Sequence, residues 1–239
     1  MPDPGIVAII VAAGGGTRLG EGAPKQFRDL GGRPMLAWTV GAFRNHPNVV
    51  GVVVVLSAEN AASPPLWLPR GVVVVAGGET RAESVRAGVN AALADSEASE
   101  SARLVVLVHD AARPFVSTDL ISRVAAASGD GLAVPVLPIP DSVKRVDAGG
   151  RLQGSVDRAG LRRAQTPQGA PAGVLRSVLD QLGPEARTAL DEAEMAQSCG
   201  VPVAAVEGDP ENFKVTTARD LEHARRLADS GMVTRIPLG

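Results

Sequence analysis

Six short runs of aliphatic residues, set at wide intervals along the chain, constrain the fold more than any other feature. They are Ile6–Val11, Val49–Leu56, Val72–Val75, Leu104–Val108, Leu132–Val136 and Val201–Val206. Each run is continuously apolar rather than alternating, which is typical of strands that are covered on both faces, as in a parallel sheet. The runs therefore predict the buried strands of a layered protein.

Helical patterns lie between these runs. Thr80–Glu83 has the capping-box sequence, and apolar residues follow it at four-residue spacing. Pro171 can open a second helix, and Thr217–Ala228 carries the same apolar periodicity. Alternation of strand and helix from the first residues onward predicts an α/β fold with a doubly wound, mainly parallel, Rossmann-like sheet.

One segment breaks this alternation. Ser142–Val146 and Arg151–Val156 flank Asp147–Gly150, which is a strong turn signal, and no helical pattern is present nearby. We therefore expect a single domain over residues 1–239, with an inserted β-hairpin arm at about 137–162. An isolated hairpin is barely stable in water, so a second subunit is the expected support, which predicts a homodimer.

Charge and cysteine content exclude several classes of protein. The 24 basic and 26 acidic residues give a net charge of −2, so no global field favours a nucleic acid or an anionic membrane. Cys199 is the only cysteine, which rules out an internal disulfide, and we expect it to be a small buried residue at a helix end. Without a signal-peptide pattern or an apolar run of roughly 18 residues, the expected location is the cytoplasm.

A glycine-rich loop follows the first predicted strand. Gly14, Gly15 and Gly16 lie where open α/β sheets bind ligands, and Arg18 and Lys25 come shortly after them. The spacing fits neither the dinucleotide fingerprint nor the Walker A loop, because Leu19 stands where the fingerprint has its last glycine and Glu21 where Walker A has its lysine. Two cations beside a glycine loop favour a nucleoside triphosphate as the ligand.

Three later strand ends also carry polar residues. Gly78 and Ser84 flank a helix start and are candidates for base recognition, although an ordinary strand-turn-helix explains them equally well. Asp110 follows the fourth strand, where it can approach a metal–phosphate complex or a substrate hydroxyl, and Arg113 adds an anion partner. Near the C-terminus, a loop presents Lys214.

Together these motifs resemble the 2-C-methyl-D-erythritol 4-phosphate cytidylyltransferase family, the CTP-using enzymes of the non-mevalonate isoprenoid pathway. The matching motifs are Ala-Ala-Gly-x-Gly-x-Arg, Pro-Lys-Gln, Gly-Gly-x-x-Arg-x-x-Ser, His-Asp-Ala-Ala-Arg-Pro, Val-Asp-Arg, Thr-Pro-Gln and Asn-x-Lys-Val-Thr, in family order over residues 12–216. The resemblance implies a nucleotidyltransferase fold, CTP and a sugar-alcohol phosphate as substrates, and Mg²⁺ as cofactor.

The resemblance also assigns site residues by position. The residues implied in catalysis are Arg18, Lys25, Arg158 and Lys214. Those implied in nucleotide binding are Ala12, Ala13, Gly14, Gly15, Gly16, Gly78, Glu79, Ser84 and Asp110. Those implied in binding the alcohol phosphate are Asp110, Ala111, Arg113, Ser142, Arg158, Thr166 and Lys214, with Ser142 and Arg158 reaching the phosphate from a partner subunit's arm. Mg²⁺ is expected to be held mainly by the CTP phosphates, with Asp110 as the one candidate side-chain ligand.

Two positions depart from the family pattern. Leu190 stands where many members carry Thr, which puts a hydroxyl contact there in doubt, whereas Ser142 replaces Thr and keeps its hydroxyl. The alternatives are a cytidylyltransferase acting on another alcohol phosphate such as ribitol 5-phosphate, a sugar nucleotidyltransferase or glycosyltransferase, and a non-catalytic nucleotide sensor. The Asp-x-Asp metal motif usual in glycosyltransferases is missing from His109–Pro114, which disfavours that class.

Overall fold

An eight-stranded sheet forms the centre of the computed structural model, which describes residues 5–14, 23–94, 104–129 and 131–230. Its strands are β1 (Ile6–Val11), β2 (Val49–Leu56), β3 (Val72–Ala76), β4 (Val105–Asp110), β5 (Leu132–Pro138), β8 (Arg162–Ala164), β9 (Gln168–Pro171) and β10 (Val203–Glu207). The helices are α1 (Met35–Arg44), α2 (Ala58–Ala62), α3 (Arg81–Ala92), α4 (Thr118–Ala127), α5 (Ala172–Leu182), α6 (Glu192–Ser198) and α7 (Ala218–Ser230). All six predicted strands are present, within one or two residues of the predicted ends.

The strand order is β10-β5-β9-β4-β1-β2-β3, and β8 pairs with β5. Pairing is parallel except at the short strands β8 and β9, which run antiparallel to their neighbours. Because β2 lies on one side of β1 and β4 on the other, the chain reverses its winding direction at β1. In the register of the sheet, Val11 lies opposite Asp110 on one side and Val55 on the other, so three carboxyl ends meet at this switch point. Open α/β sheets bind ligands in the crevice at such a point.

Helices cover both faces of the sheet, as the continuous apolar runs predict. Alternate residues of β1 point to opposite faces: Ile6, Ala8 and Ile10 pack with α1 and α4, whereas Val7 and Ile9 pack with α3, α5 and α6. The predicted doubly wound, mainly parallel fold is therefore confirmed. The interpretation of the whole chain as one domain stays a prediction.

The helix starts follow the sequence signals. The Thr80 hydroxyl accepts a hydrogen bond from Glu83 N–H and the Glu83 carboxylate accepts one from Thr80 N–H, so the capping box is formed at the start of α3. Pro171 precedes α5, and Cys199 ends α6 as a half-buried residue before Gly200, which has a φ of 71°.

The inserted segment forms the predicted hairpin. Its strands β6 (Val143–Val146) and β7 (Leu152–Val156) make a separate two-stranded sheet, joined by a turn in which Asp147 accepts hydrogen bonds from the backbone. Most residues of both strands are exposed, among them Val146 and Leu152. The arm therefore presents apolar side chains to its surroundings.

In the part of the chain that the structure describes, no helix has the length and apolar character needed to cross a membrane.

Candidate active site

A cleft of about 320 Å³ opens at the carboxyl ends of β1, β3 and β4. Its walls come from five separate stretches of sequence, which the strand order brings together at the switch point. The lining residues are Val11, Ala12, Ala13, Gly14, Lys25, Gln26, Gly78, Glu79, Thr80, Arg81, Ser84, Asp110, Ala111, Ala112 and Lys214. Ten of them are residues that the sequence analysis assigned to the site.

The first wall begins where β1 ends. Ala12 N–H still donates to Val55 O at 2.8 Å, after which the chain leaves the sheet through Ala13 and the exposed Gly14. Arg18, Gly15 and Gly16, which were also assigned to this loop, lie outside the described residues. Lys25 returns to the cleft in a short 3₁₀ helix, Lys25–Phe27, which follows Pro24. Lys25 and the end of β1 thus line the same cleft.

The second wall is the turn between β3 and α3. A side chain at Gly78 would collide with Glu83, the residue that completes the capping box, so this position requires glycine. Ser84 is buried and its hydroxyl donates to Thr80 O at 3.0 Å. The N-terminus of α3 lines the cleft, and the helix dipole there favours an anionic ligand.

Asp110, at the end of β4, is the electrostatic centre of the cleft. Its Oδ1 accepts from Arg81 Nη1 at 2.6 Å and its Oδ2 contacts Lys214 Nζ at 2.8 Å, while Arg113 Nε lies 3.7 Å from Oδ2. Burial alone would raise the pKa of Asp110, but the charges of Arg81 and Lys214 outweigh burial and hold this pKa well below its usual range. Asp110 is therefore ionised at neutral pH.

Arg81 connects Asp110 to a second carboxylate. Its Nε and Nη2 donate to the two carboxylate oxygens of Glu192, each at 3.0 Å, in the fork geometry that suits a guanidinium. The Glu192 side chain is fully buried. Burial raises the pKa of Glu192, and the charge of Arg81 opposes this rise. Although burial lowers the pKa of Arg81, Glu192 and Asp110 together raise it above its ordinary value, so this side chain is a permanent cation.

A network of buried hydrogen bonds fixes the backbone of Asp110. The Thr166 hydroxyl accepts from Asp110 N–H at 3.1 Å and lies 3.1 Å from His109 Nδ1, and Thr166 precedes a cis peptide bond to Pro167. His109 is completely buried, its Nε2 lies 3.0 Å from Arg113 O, and burial lowers its pKa to about 4. The Thr-Pro-Gln and His-Asp motifs thus meet to fix the end of β4.

Four described residues that the sequence analysis assigned to the alcohol phosphate do not line the cleft. Arg113 Nη1 donates to Asn212 O at 2.8 Å, and the hydroxyl of Thr166 faces β4. Ser142 and Arg158 lie at the exposed base of the arm, where Arg158 Nη1 donates to Ile139 O at 2.7 Å. Their assigned contacts with substrate stay predictions, as does the contribution of Ser142 and Arg158 from a partner subunit.

Arg81 and Glu192 are site residues that were not predicted from the sequence. Arg81 is part of the Gly-Gly-x-x-Arg motif, which was a usable signal, but its partner lies 111 residues away. Glu192 directly follows Asp191, whose side chain caps α6, so the pair resembles an ordinary helix start in sequence. Leu190, the departure from the family pattern, is 83% exposed.

Comparison with known proteins identifies the family to which this cleft belongs. Residues 6–229 match the family model for 2-C-methyl-D-erythritol 4-phosphate cytidylyltransferase. This chain belongs to that family. The cytidylyltransferase of Rhodococcus jostii is 41% identical over 228 residues, which are 95% of this chain and 96% of that protein. The crystal structure of the Thermus thermophilus cytidylyltransferase superposes with a TM-score of 0.75 at 38% identity, over 92% of this chain and 98% of that one.

Some relatives are longer proteins. The bifunctional enzyme IspD/IspF of Dinoroseobacter shibae is 44% identical over 226 residues, which are 94% of this chain but 54% of that protein. This chain therefore spans about half the length of the bifunctional relatives and nearly all of the cytidylyltransferase from Rhodococcus jostii. The resemblance stated from the motifs is confirmed at the level of the family.

Proposed function

We propose that this chain transfers CMP from CTP to 2-C-methyl-D-erythritol 4-phosphate, a step of isoprenoid biosynthesis, and gives 4-diphosphocytidyl-2-C-methyl-D-erythritol and pyrophosphate. One observation carries the proposal: the family match spans residues 6–229, and within it the cleft at the switch point gathers Lys25, Asp110 and Lys214 from three distant motifs. These are the residues to which the family motifs assign the triphosphate and the alcohol phosphate.

The chemistry needs positioning more than proton transfer. An oxygen of the phosphate monoester attacks the α-phosphorus of CTP, a new P–O bond forms, and the bond to the bridging oxygen breaks to release pyrophosphate. The monoester is largely dianionic at neutral pH, since its second pKa is about 6, so no general base is required. His109 fits this scheme because it is buried, uncharged and turned away from the cleft into the protein. It supports the end of β4 and takes no part in proton transfer.

The cations around the cleft would stabilise the negative charge of the two substrates. Lys25 is placed to stabilise negative charge that develops on the triphosphate, together with Arg18 and the N–H groups of the glycine loop. Lys214, which is 40% exposed, can donate to the incoming phosphate while it keeps its contact with Asp110, because an ammonium group has three donors. Arg158 would neutralise and aim the same phosphate from the partner's arm.

Mg²⁺ is the proposed cofactor, and when bound to CTP it would neutralise part of the triphosphate charge. Among the described residues, no group of three His, Cys, Asp or Glu side chains is placed to hold a metal ion. Asp110 does not fit the ligand role suggested from sequence, because its two oxygens already contact Arg81 and Lys214. This favours the other expectation, that the phosphates of CTP hold the ion.

We also propose a homodimer in which the arm of each chain reaches the cleft of the other. The apolar side chains of Val146 and Leu152, 53% and 68% exposed, support it, as does the absence of Ser142 and Arg158 from the lining of this chain's cleft. Mixing Lys25→Ala protein with Arg158→Ala protein tests the arrangement. Hybrid dimers contain one intact site, so activity should return on mixing. A monomer of full activity in sedimentation experiments would contradict it.

Pyrophosphate release tests the proposed reaction. With Mg²⁺ and CTP we expect release with 2-C-methyl-D-erythritol 4-phosphate and at least tenfold lower kcat/KM with ribitol 5-phosphate or with ATP in place of CTP. A preference for ribitol 5-phosphate would favour the alternative cytidylyltransferase. Tight CTP binding without release, whichever alcohol phosphate is added, would favour the sensor. The cytoplasmic location expected from the sequence stays a proposal, and fractionation of cells tests it.

A further inference from the structure

The strongest unassigned feature of the cleft is the chain of charges from Glu192 through Arg81 and Asp110 to Lys214. Each link is a direct contact of 2.6 to 3.0 Å. Its two ends differ most in exposure: the Glu192 side chain is fully buried, whereas the Lys214 side chain is 40% exposed. One end of this series of ion pairs is fixed, and the other end is a cation that substrate can reach. The series therefore suggests that the buried end determines where the Lys214 side chain lies.

The anchored end is rigid for several independent reasons. Glu192 is the first residue of α6, where the helix dipole favours a carboxylate. The N-cap Asp191 accepts from Glu194 N–H at 2.9 Å and from Gln168 Nε2 at 3.0 Å, and Gln168 Oε1 accepts from Ala193 N–H at 2.8 Å. Because the two Glu192 oxygens are buried and both bonded to Arg81, water cannot take the place of the guanidinium.

Arg81 is suited to its place by shape as well as by charge. It is the first residue of α3, directly after the N-cap Thr80 and within the capping box, so its backbone is fixed. Two of its nitrogens bind Glu192, and this leaves Nη1 for Asp110. A lysine ammonium has the charge but not the planar fork, and cannot bind one carboxylate through two parallel bonds while it reaches a second.

The charge balance shows why this matters for a second anion. Three cations (Arg81, Arg113 and Lys214) surround two carboxylates (Asp110 and Glu192), which leaves this cluster of five described residues with an excess of one positive charge. Without Arg81 the excess disappears, and Asp110 would repel a phosphate dianion that approaches Lys214. Asp110 would also be free to rotate away from Lys214, because its Oδ1 would have lost its partner.

We propose that Arg81, clamped by Glu192, is a positioning residue: it fixes and neutralises Asp110, so that Asp110 presents Lys214 to the phosphate of the alcohol substrate. This inference rests on the proposed function and adds two residues to it, neither of which needs to touch a substrate. It predicts that Arg81 and Lys214 act on the same step and that the nucleotide is bound nearly independently of them.

A double-mutant cycle on the full-length chain tests the proposal. Arg81→Met should raise KM for 2-C-methyl-D-erythritol 4-phosphate about 10-fold or more, with KM for CTP within about 3-fold of the wild type. Lys214→Met should act in the same direction. If Arg81 works through Lys214, the double variant should be no more than about 3-fold worse than the poorer single variant. Multiplied effects, or an equal rise in KM for both substrates, would overturn the proposal.

Further variants separate positioning from folding. Arg81→Lys keeps the buried charge and should recover part of the loss, whereas Glu192→Gln should raise KM for the alcohol phosphate alone. Arg86→Met is the matched control: it lies on the same helix, and its ion pair with Asp180 is at the surface, away from the cleft. If Arg81→Met does not fold, the same cycle is run with Arg81→Lys. A wild type without turnover would refute the proposed function itself, whereas an active wild type with multiplied effects would refute this inference alone.

Discussion

Protonation of His109 should set how the stability of this protein falls in mild acid. The ring is fully buried, packs against Phe43 with ring centroids 5.0 Å apart, and has both nitrogens near buried partners. Burial lowers the pKa of this imidazole from its ordinary 6.5 to about 4. Between these two values the unfolded chain takes up a proton that the folded chain does not. The free energy of unfolding must therefore decrease as the pH falls from about 7 to 4.

The size of this effect follows from the two pKa values. Linkage gives a loss of about 2 kcal/mol between pH 7.5 and pH 5 from this residue alone. Solvent does not weaken this effect, because the imidazole is completely buried. His109→Gln removes the titration and keeps a polar side chain. The variant should be less stable than the wild type at pH 7.5, yet it should lose about 2 kcal/mol less than the wild type when the pH is lowered to 5.

Urea unfolding at the two pH values, followed by circular dichroism, measures the difference. Burial also lowers the pKa of His46, but this residue contributes equally to both chains and cancels in the comparison. His223→Gln is the matched control, since it makes the same substitution at an exposed histidine of α7. An identical loss of stability in wild type and His109→Gln would refute the argument, because the buried ring would then not be the group that takes up the proton.

Four further outcomes are expected. Lys25→Ala should lower kcat for pyrophosphate release by about 10²–10³, since it removes one charge-assisted contact to the triphosphate; an unchanged kcat would remove Lys25 from the mechanism. Thr166→Val leaves the buried N–H of Asp110 without its acceptor and should lower the free energy of unfolding in urea by about 1–3 kcal/mol. An unchanged free energy of unfolding would mean that the hydroxyl serves substrate alone. Gly169→Ala should lower the free energy of unfolding by about 1–3 kcal/mol, because the added carbon would lie 2.5 and 2.6 Å from neighbouring side-chain atoms. Gly173→Ala, in open space on α5, should raise it by about 0.5–1 kcal/mol. EDTA should abolish turnover and excess Mg²⁺ should restore it; activity that survives EDTA would exclude the proposed cofactor.

Much of the fold could be predicted because its signals are local. A continuously apolar run must be covered on both faces, and a capping box such as Thr80–Glu83 starts a helix wherever it lies in the sheet. The hairpin was predictable from its turn. The short antiparallel strands β8 and β9 were not, because three or four residues carry no reliable periodicity and pair only where β4 and β5 leave hydrogen-bonding edges open.

Part of the candidate site could likewise be predicted from the sequence, and part could not. One cleft is lined by residues of the motif loops, such as Lys25, Gly78 and Lys214, because the carboxyl ends of neighbouring parallel strands converge. The sequence could not show that Thr166 turns its hydroxyl towards β4, or that Asp110 is already engaged by cations and is thereby unsuited to hold a metal ion. Those facts depend on distances between side chains that are far apart along the chain.

The amino-acid sequence alone determined the layer architecture, the inserted arm and the family, since each rests on periodicity or on motifs a few residues long. Only the tertiary structure decided which charges meet. Arg81 and Glu192 are 111 residues apart, yet they form the bidentate pair that holds Asp110 in place. The physical reason is that a buried charge must find its counter-charge in space, and the strand order, not the spacing along the sequence, brings the ends of β4, α3 and α6 to the same place.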